Sequence, residues 1–247
     1  MAGTWLVLPT FNEAENIEAI VAAVLPRLAE ASPEHTLLIV DDSSPDGTGA
    51  IADRLAREND SVEVLHRAGK EGLGRAYLHG FSEALEGGAE YVMEMDADFS
   101  HDPDDVPRLI EAARDADLVL GSRYVAGGGV SGWEWHRRML SRGGCLYART
   151  ILGVPVQDLT GGFKCFRRAV LEAIDFADVQ ADGYGFQIEM TYRALKAGFR
   201  VKEIPITFHE RRAGASKMDT RIAAEAVWKV PALRARLRRT PRSRAGA

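Results

Sequence analysis

Short apolar runs alternate with segments whose apolar residues recur every three to four positions, and this rhythm dominates the first two-thirds of the chain. Residues 4–8 form an apolar run that reads as a buried strand. Residues 12–28 follow with Ile17, Ile20, Val21, Val24, Leu25 and Leu28 on one helical face. Asn12 is placed to cap that helix, with Glu15 three positions on in capping-box spacing. Residues 37–40 predict a second strand ending at Asp41-Asp42, and 48–57 a helix with Ile51 and Leu55 inward. Residues 62–65 predict a third strand. Lys70-Glu71-Gly72-Leu73-Gly74 leads into a helix through Leu85. A fourth strand is expected over 91–95, then a helix from near Asp104 and a fifth strand over 118–120. Such alternation predicts an α/β fold, a mostly parallel central sheet with helices on both faces.

The rhythm then loosens. Gly127-Gly128-Gly129 reads as a loop, with a lid as the sharper alternative. Helices are expected over 134–152 and 186–196, and strands over 163–166 and 201–204. With no linker or repeat, residues 1–217 read as a single domain. Residues 218–247 then supply a C-terminal helix and basic tail. Ile222, Ala226, Val227, Val230, Leu233 and Leu237 recur at near-helical spacing, Pro231 is placed to kink the helix, and no acidic residue follows Glu225. A basic amphipathic segment suits an anionic membrane surface, and a solvated basic tail is the plainer reading. On the membrane reading, deleting 231–247 should weaken vesicle binding more than catalysis.

Composition narrows the class. The chain has 247 residues, 46% hydrophobic and 27% charged, as in ordinary globular proteins. A net charge of -5 gives no reason to expect nucleic acid as partner. No apolar run approaches the ~20 residues that span a bilayer, and the N-terminus lacks the pattern of a signal peptide. Cys145 and Cys165 have no metal or redox spacing and are expected as packing residues in a reducing, cytoplasmic setting.

Chemistry gathers where strands end. Pro9-Thr10-Phe11-Asn12-Glu13, Asp41-Asp42 and Asp96-Ala97-Asp98 follow the first, second and fourth strands. In a parallel sheet these ends share a crevice, which would be strongly acidic. Crowded carboxylates resist ionisation unless a cation sits between them. Hard divalent ions take carboxylate oxygens, so Asp96 and Asp98 point to a metal holding something phosphorylated. Taken singly, each motif is as well explained by turn chemistry. No glycine-rich dinucleotide turn, Walker A loop or G-x-S-x-G elbow occurs. A strand ending in Asp-x-Asp also starts dehalogenase-like phosphatase sites. There it belongs on the first strand with a distant acidic pair, whereas here it closes the fourth, close to Asp104-Asp105.

The ordered set of motifs resembles the inverting family 2 glycosyltransferases with the GT-A nucleotide-sugar-binding fold. Within them it is most similar to the polyprenyl- or dolichyl-phosphate mannose synthases. The likeness continues through Asp42-Ser43-Ser44-Pro45-Asp46-Gly47-Thr48, Gly121-Ser122-Arg123-Tyr124, Asp158-Leu159-Thr160-Gly161-Gly162-Phe163, Gly183-Tyr184-Gly185-Phe186-Gln187-Ile188-Glu189 and Arg211 to Lys217, covering about residues 4–220. It implies mannose transfer from GDP-mannose to a polyprenyl monophosphate with inversion. Pro9, Phe11, Glu13, Val40 and Asp42 would line the guanosine side. Asp96, Ala97 and Asp98 would hold Mg²⁺ or Mn²⁺ and the diphosphate, with Ser100 as a further metal ligand. Asp98 and Arg123 would be catalytic, and Arg123, Arg211 and Lys217 would meet the diphosphate or the acceptor phosphate. Asp158 and Glu189 are candidates for sugar hydroxyls. Phe11 stands where many relatives carry Tyr, and Ser100 where some carry Gln. The resemblance implies an enzyme peripheral on the cytoplasmic face of a membrane, with any firmer hold supplied by a separate membrane-anchoring protein. A UDP-glucose-dependent transferase and a non-catalytic nucleotide-sugar-binding subunit are the competing readings.

Overall fold

The computed structural model describes residues 3–180, 183–210 and 220–239. In chain order the elements are β1 (Thr4–Thr10), α1 (Ile17–Ala31), β2 (His35–Asp41), α2 (Thr48–Glu58), β3 (Val62–His66), α3 (Leu73–Glu86), β4 (Tyr91–Glu94), α4 (Val106–Ala113), β5 (Leu118–Ser122), β6 (Gly129–Val130), α5 (Trp135–Leu152), β7 (Lys164–Arg167), α6 (Arg168–Glu172), α7 (Tyr184–Ala197), β8 (Val201–Pro205), β9 (Thr207–Phe208) and α8 (Thr220–Arg239).

Seven strands form one sheet in the order β3-β2-β1-β4-β7-β5-β8. All neighbours are parallel except β7, which runs antiparallel to both β4 and β5. The apolar runs are continuous because both sheet faces are covered. Leu6, Leu8, Leu37, Ile39, Met93 and Val119 point into a core with α1, α2 and α4. Trp5, Val7, Leu38, Val40, Val92 and Leu118 point into a second core with α3, α5, α7 and α8.

The strand order reverses at β1: β2 and β3 lie on one side and β4 on the other. The loops leaving β1 and β4 therefore diverge and open a crevice at the carboxyl ends of these strands. Pro9 fits β1 because of this geometry. Met95 N–H donates to Val7 C=O, so odd positions of β1 face β4. Pro9, two residues further, lies beyond the end of β4, and its missing N–H breaks no ladder bond.

Three expectations change. Asn12 does not cap α1, which starts at Ile17; Asn12 adopts a left-handed φ of 59° instead. The Gly127–Gly129 segment is pinned, with Gly129 N–H donating to Ile206 C=O as β6 pairs with β9. A Cβ on Gly128 would lie 2.4 Å from the Ser122 carbonyl oxygen, so only glycine fits that approach. Finally, α8 runs unbroken through Pro231, and Val230, Leu233 and Leu237 are buried in the second core against α5 and α7. Of the stripe that the sequence offered to a membrane, these three side chains pack against the protein, and Val227 is exposed.

Candidate active site

Each of the three loops at the crevice contains one non-glycine residue in the left-handed region: Asn12 after β1, Ser43 after β2 and Phe99 after β4, at φ 59°, 57° and 61°. Such residues persist only where surrounding bonds over-determine them. The first two loops are laced together. The N–H groups of Asn12, Glu13 and Ala14 donate to Ser44 Oγ (3.1 Å), Thr48 Oγ1 (2.9 Å) and Asp46 Oδ2 (3.0 Å). Asp46 also accepts from Thr48 N–H and Oγ1. Burial raises its carboxyl pKa, but these bonds prevail and hold it below the usual range. Asp41 is the organiser of the second loop, accepting Ser44 Oγ at 2.6 Å, so turn chemistry accounts for it.

The loop after β4 presents Asp96 and Asp98 to the crevice end of the sheet. Tyr77 of α3 donates its hydroxyl to Asp96 Oδ1 at 3.2 Å. Burial first, and the neighbouring carboxylates second, push the Tyr77 pKa well up, so it remains a donor at neutral pH. Asp96 N–H donates to His101 Nδ1 at 3.3 Å, and the His101 ring stacks on Phe163. The left-handed turn at Phe99 brings Ser100 N–H onto Asp98 Oδ1 at 3.0 Å. Ser100 is fully buried and its Oγ makes no hydrogen bond. Ala97 is buried in the core beneath the loop. A Cβ on Gly162 would lie 3.8 Å from both Asp96 oxygens, so the segment leading into β7 passes beside this carboxylate.

The guanosine-side candidates divide. Pro9, Phe11 and Glu13 are partly exposed at the end of β1. The Lys70 ammonium lies 3.9 Å from the Phe11 ring centroid. Glu13 Oε2 accepts from Asn16 Nδ2 at 2.8 Å. Val40 is fully buried, its side chain packed under Gly80 of α3. Asp42 forms a buried ion pair with Arg67, whose other nitrogens reach Glu71 (2.9 Å) and His79 (3.2 Å). Burial raises the Asp42 pKa, and Arg67 only partly offsets it. Arg67 and Lys70 therefore make this crevice less acidic than the motifs suggest. Sequence reasoning missed both, although Lys70 stands in the glycine-flanked run before α3.

Arg123, expected to meet a phosphate, is built into the protein at the end of β5. It is buried and bidentate on Asp158, with Nε–Oδ2 and Nη2–Oδ1 both at 2.7 Å and Nη2 also donating to Thr160 Oγ1. Arg123 N–H adds a third bond to Asp158 Oδ2. Burial pushes the Asp158 carboxyl up, but the Arg123 charge and bonds outweigh it and hold it below the usual range. With both oxygens engaged by Arg123, Asp158 fastens the end of β5. Glu189 is likewise committed: it is buried and paired with Arg193 and with Arg236 of α8. Beneath Asp96, Glu94 and Lys164 face each other across β4 and β7 as a fully buried pair at 3.1 Å, with Lys164 also held by Gln187. Arg211 and Lys217 lie outside the described residues. Cys145 and Cys165 are buried free thiols, as expected.

Among the described residues no three His, Cys, Asp or Glu side chains converge as a metal shell. The side-chain donors carried by this loop, the carboxylates of Asp96 and Asp98 and the Ser100 hydroxyl that makes no hydrogen bond, are all hard oxygens. This set fits an ion that keeps several positions for phosphate and water, as Mg²⁺ does.

A doubly covered, mostly parallel sheet with an Asp-x-Asp loop at its switch point defines a GT-A-like glycosyltransferase domain. Solved structures share this architecture. Glucosyl-3-phosphoglycerate synthase from Mycobacterium tuberculosis with phosphoglyceric acid superposes at TM-score 0.70 and 17% identity, covering 95% of this chain and 80% of that one. The same enzyme with Mn²⁺, UDP and glucosyl-3-phosphoglycerate gives 0.69 at 20% identity, covering 98% and 82%. Residues 5–175 match Glycosyl transferase family 2, and the chain belongs to that family. Among curated relatives, undecaprenyl-phosphate mannosyltransferase of Micrococcus luteus is 49% identical over 90% of this chain and 89% of its own length. Polyprenol monophosphomannose synthase of Mycolicibacterium smegmatis is 49% identical over 92% and 85%.

Proposed function

We propose that the protein transfers mannose from GDP-mannose to a polyprenyl monophosphate, inverting the anomeric carbon and releasing GDP, with Mg²⁺ or Mn²⁺ held at Asp96, Asp98 and Ser100. The observation that carries this is the loop 96–100 at the switch point, which holds two carboxylates and a fully buried hydroxyl, Ser100 Oγ, that makes no hydrogen bond. The names of the two relatives at 49% identity supply the sugar and the lipid class. A bound divalent ion would act as a Lewis acid, neutralising the charge that develops on the departing diphosphate.

The chain's own groups do the remainder. Tyr77 and His101 fix Asp96 in place. Phe11 offers a ring to the base, and Asp42, oriented by Arg67, offers an acceptor for base N–H groups. Lys70 supplies a mobile point charge at the mouth of the crevice, and Arg211 and Lys217 add phosphate-binding charge from the following basic segment. A phosphate monoester has a second pKa near ~6, so the acceptor is already anionic at pH 7. It needs orientation more than deprotonation, and a dedicated general base is dispensable. Arg123, locked on Asp158, serves this reaction by holding the end of β5. The acceptor places the enzyme against the cytoplasmic face of a membrane; no described helix is long and apolar enough to cross one.

The test supplies purified protein with Mg²⁺ or Mn²⁺, a polyprenyl phosphate, and labelled GDP-mannose or UDP-glucose. Mannose from GDP-mannose should reach the lipid fraction. Glucose arriving from UDP-glucose instead would reassign the donor, and transfer from neither would overturn the reading. Asp98→Ala should abolish transfer while circular dichroism stays unchanged. Near-normal turnover in that variant would remove the metal argument.

A further inference from the structure

The outward side of α5 is unusual for a solvent-facing helix. Trp135, Met139 and Leu146 are 77%, 65% and 59% exposed, and their spacing of four and seven puts them on one stripe. Leu140 flanks the stripe, and Arg138 and Arg142 are exposed within it. Residues 135–152 contain no Asp or Glu but four Arg, in a chain whose net charge is -5. Beside this stripe lies α8, tied to α5 by Tyr147 Oη donating to Val227 C=O at 2.8 Å, and there Trp228 is 80% exposed.

We propose that this α5 face, extended by Trp228, is the surface with which the protein docks on an anionic lipid bilayer. The choice of a bilayer as occupant rests on the lipid-acceptor reading above. Charge complementarity supports it independently. Exposed Trp side chains suit the headgroup level, and arginines interleaved with apolar residues suit anionic lipids. A second copy is a poorer fit, because a two-fold contact on this face would set Arg138 and Arg142 against their own copies.

The inner side of α5 explains why this face is useful. Cys145 Sγ lies 3.3 Å from Thr160 Oγ1, and Ser141 Oγ accepts from Tyr124 Oη at 2.7 Å, so the helix backs directly onto the Arg123–Asp158 end of the site. At its start, a run of ring contacts passes from Trp133 to Phe208 to His101, which bonds Asp96. A bilayer seated on α5 would therefore bring lipid headgroups to the side of the crevice that must receive an acceptor phosphate. Val230, Leu233 and Leu237 of α8 cannot do this, since they are buried.

The test uses the full chain with no donor or acceptor, measuring sedimentation with vesicles of phosphatidylglycerol and phosphatidylcholine or of phosphatidylcholine alone. Binding should require the anionic lipid and weaken in high salt. Trp135→Ser with Met139→Ser and Leu146→Ser, and separately Arg138→Gln with Arg142→Gln, should each lower the partition coefficient at least about tenfold. Transfer to a water-soluble short-chain polyprenyl phosphate should stay unchanged, while transfer to a long-chain acceptor in vesicles falls. Unaltered partition in both variants overturns the docking face. So does a triple variant that dissociates a dimer on light scattering but still sediments with vesicles. A chain that docks as expected yet transfers nothing to either acceptor overturns the mannosyltransferase reading and leaves the docking face standing.

Discussion

The pair Arg123–Asp158 shows how two residues can each be recognisable in the chain while their partnership is not. Asp158 is completely buried, and four bonds from Arg123 and Thr160 converge on it. Removing one member of a buried pair leaves the other charge without compensation, at a cost of roughly 3–5 kcal/mol. Asp158→Asn should therefore lower the urea-unfolding free energy by about that amount at pH 7. The pH dependence has a definite sign. The folded pKa of Asp158 is depressed, so its stabilisation is present above the unfolded value of about 3.9 and is lost as pH falls through the folded one. The gap between wild type and Asp158→Asn should narrow below about pH 4 and stay constant from about 6 to 8. A gap that persists in acid would mean that the variant's defect is packing, not charge. Sequence alone marked Arg123 and Asp158 as separate ligand contacts, because nothing in spacing reveals that residues 35 positions apart satisfy each other. Asp96 and Asp98 were legible because strand ends and carboxylates both leave local signals. Tyr77, which orients Asp96, was not, since one Tyr inside a helix pattern reads as core.

At the scale of elements, the strands of the seven-stranded sheet were legible to within a few residues, because burial on both faces writes them as unbroken apolar runs, whereas the two-residue β6 and β9 were not. Helix starts were less so. The turn before α1 is satisfied by side chains of the β2–α2 loop and of Thr48 at the start of α2, thirty-odd positions away, instead of by a local cap at Asn12. The close seat of α3 on the sheet was also invisible, as it depends on one missing side chain. A Cβ on Gly80 would lie 2.4 Å from Val7 Cγ1 and 3.1 Å from Val40 Cγ2. Both neighbours are β-branched and held in the sheet, so neither can swing away. Gly80→Ala gains helix propensity of ~1 kcal/mol but overpacks at a cost of ~1–3 kcal/mol, giving a net loss. Because α3 carries Tyr77 and follows the loop of Arg67 and Lys70, the same variant should raise KM for the donor. A thermal melt and donor titration check both parts, and a stabilised variant would show that α3 can lift without consequence.

For the whole molecule, the consequential feature is where α8 spends its apolar side chains. Leu233 and Leu237 are 8% and 5% exposed and belong to the core shared with α3, α5 and α7. Arg236 meets the buried Glu189, and Arg234 donates to the C=O of Ile151 in α5. A helix tied in this way is part of the folded unit, so a deletion through it cannot be a clean test of membrane binding. Removing residues 231–247 takes away two buried leucines, each worth ~2–5 kcal/mol, and strips Glu189 of one of its arginines. That deletion should lower the melting temperature clearly and reduce transfer to soluble and vesicle-borne acceptors alike. Removing only 240–247 keeps these contacts and should leave the melting temperature near that of the full chain. If basic charge in that last segment assists docking, the shorter deletion should weaken vesicle binding with soluble-acceptor turnover intact. Equal melting temperatures for both deletions would show that α8 adds nothing to the core. The α5 face would then have to hold its orientation on the bilayer without the helix that packs beside it.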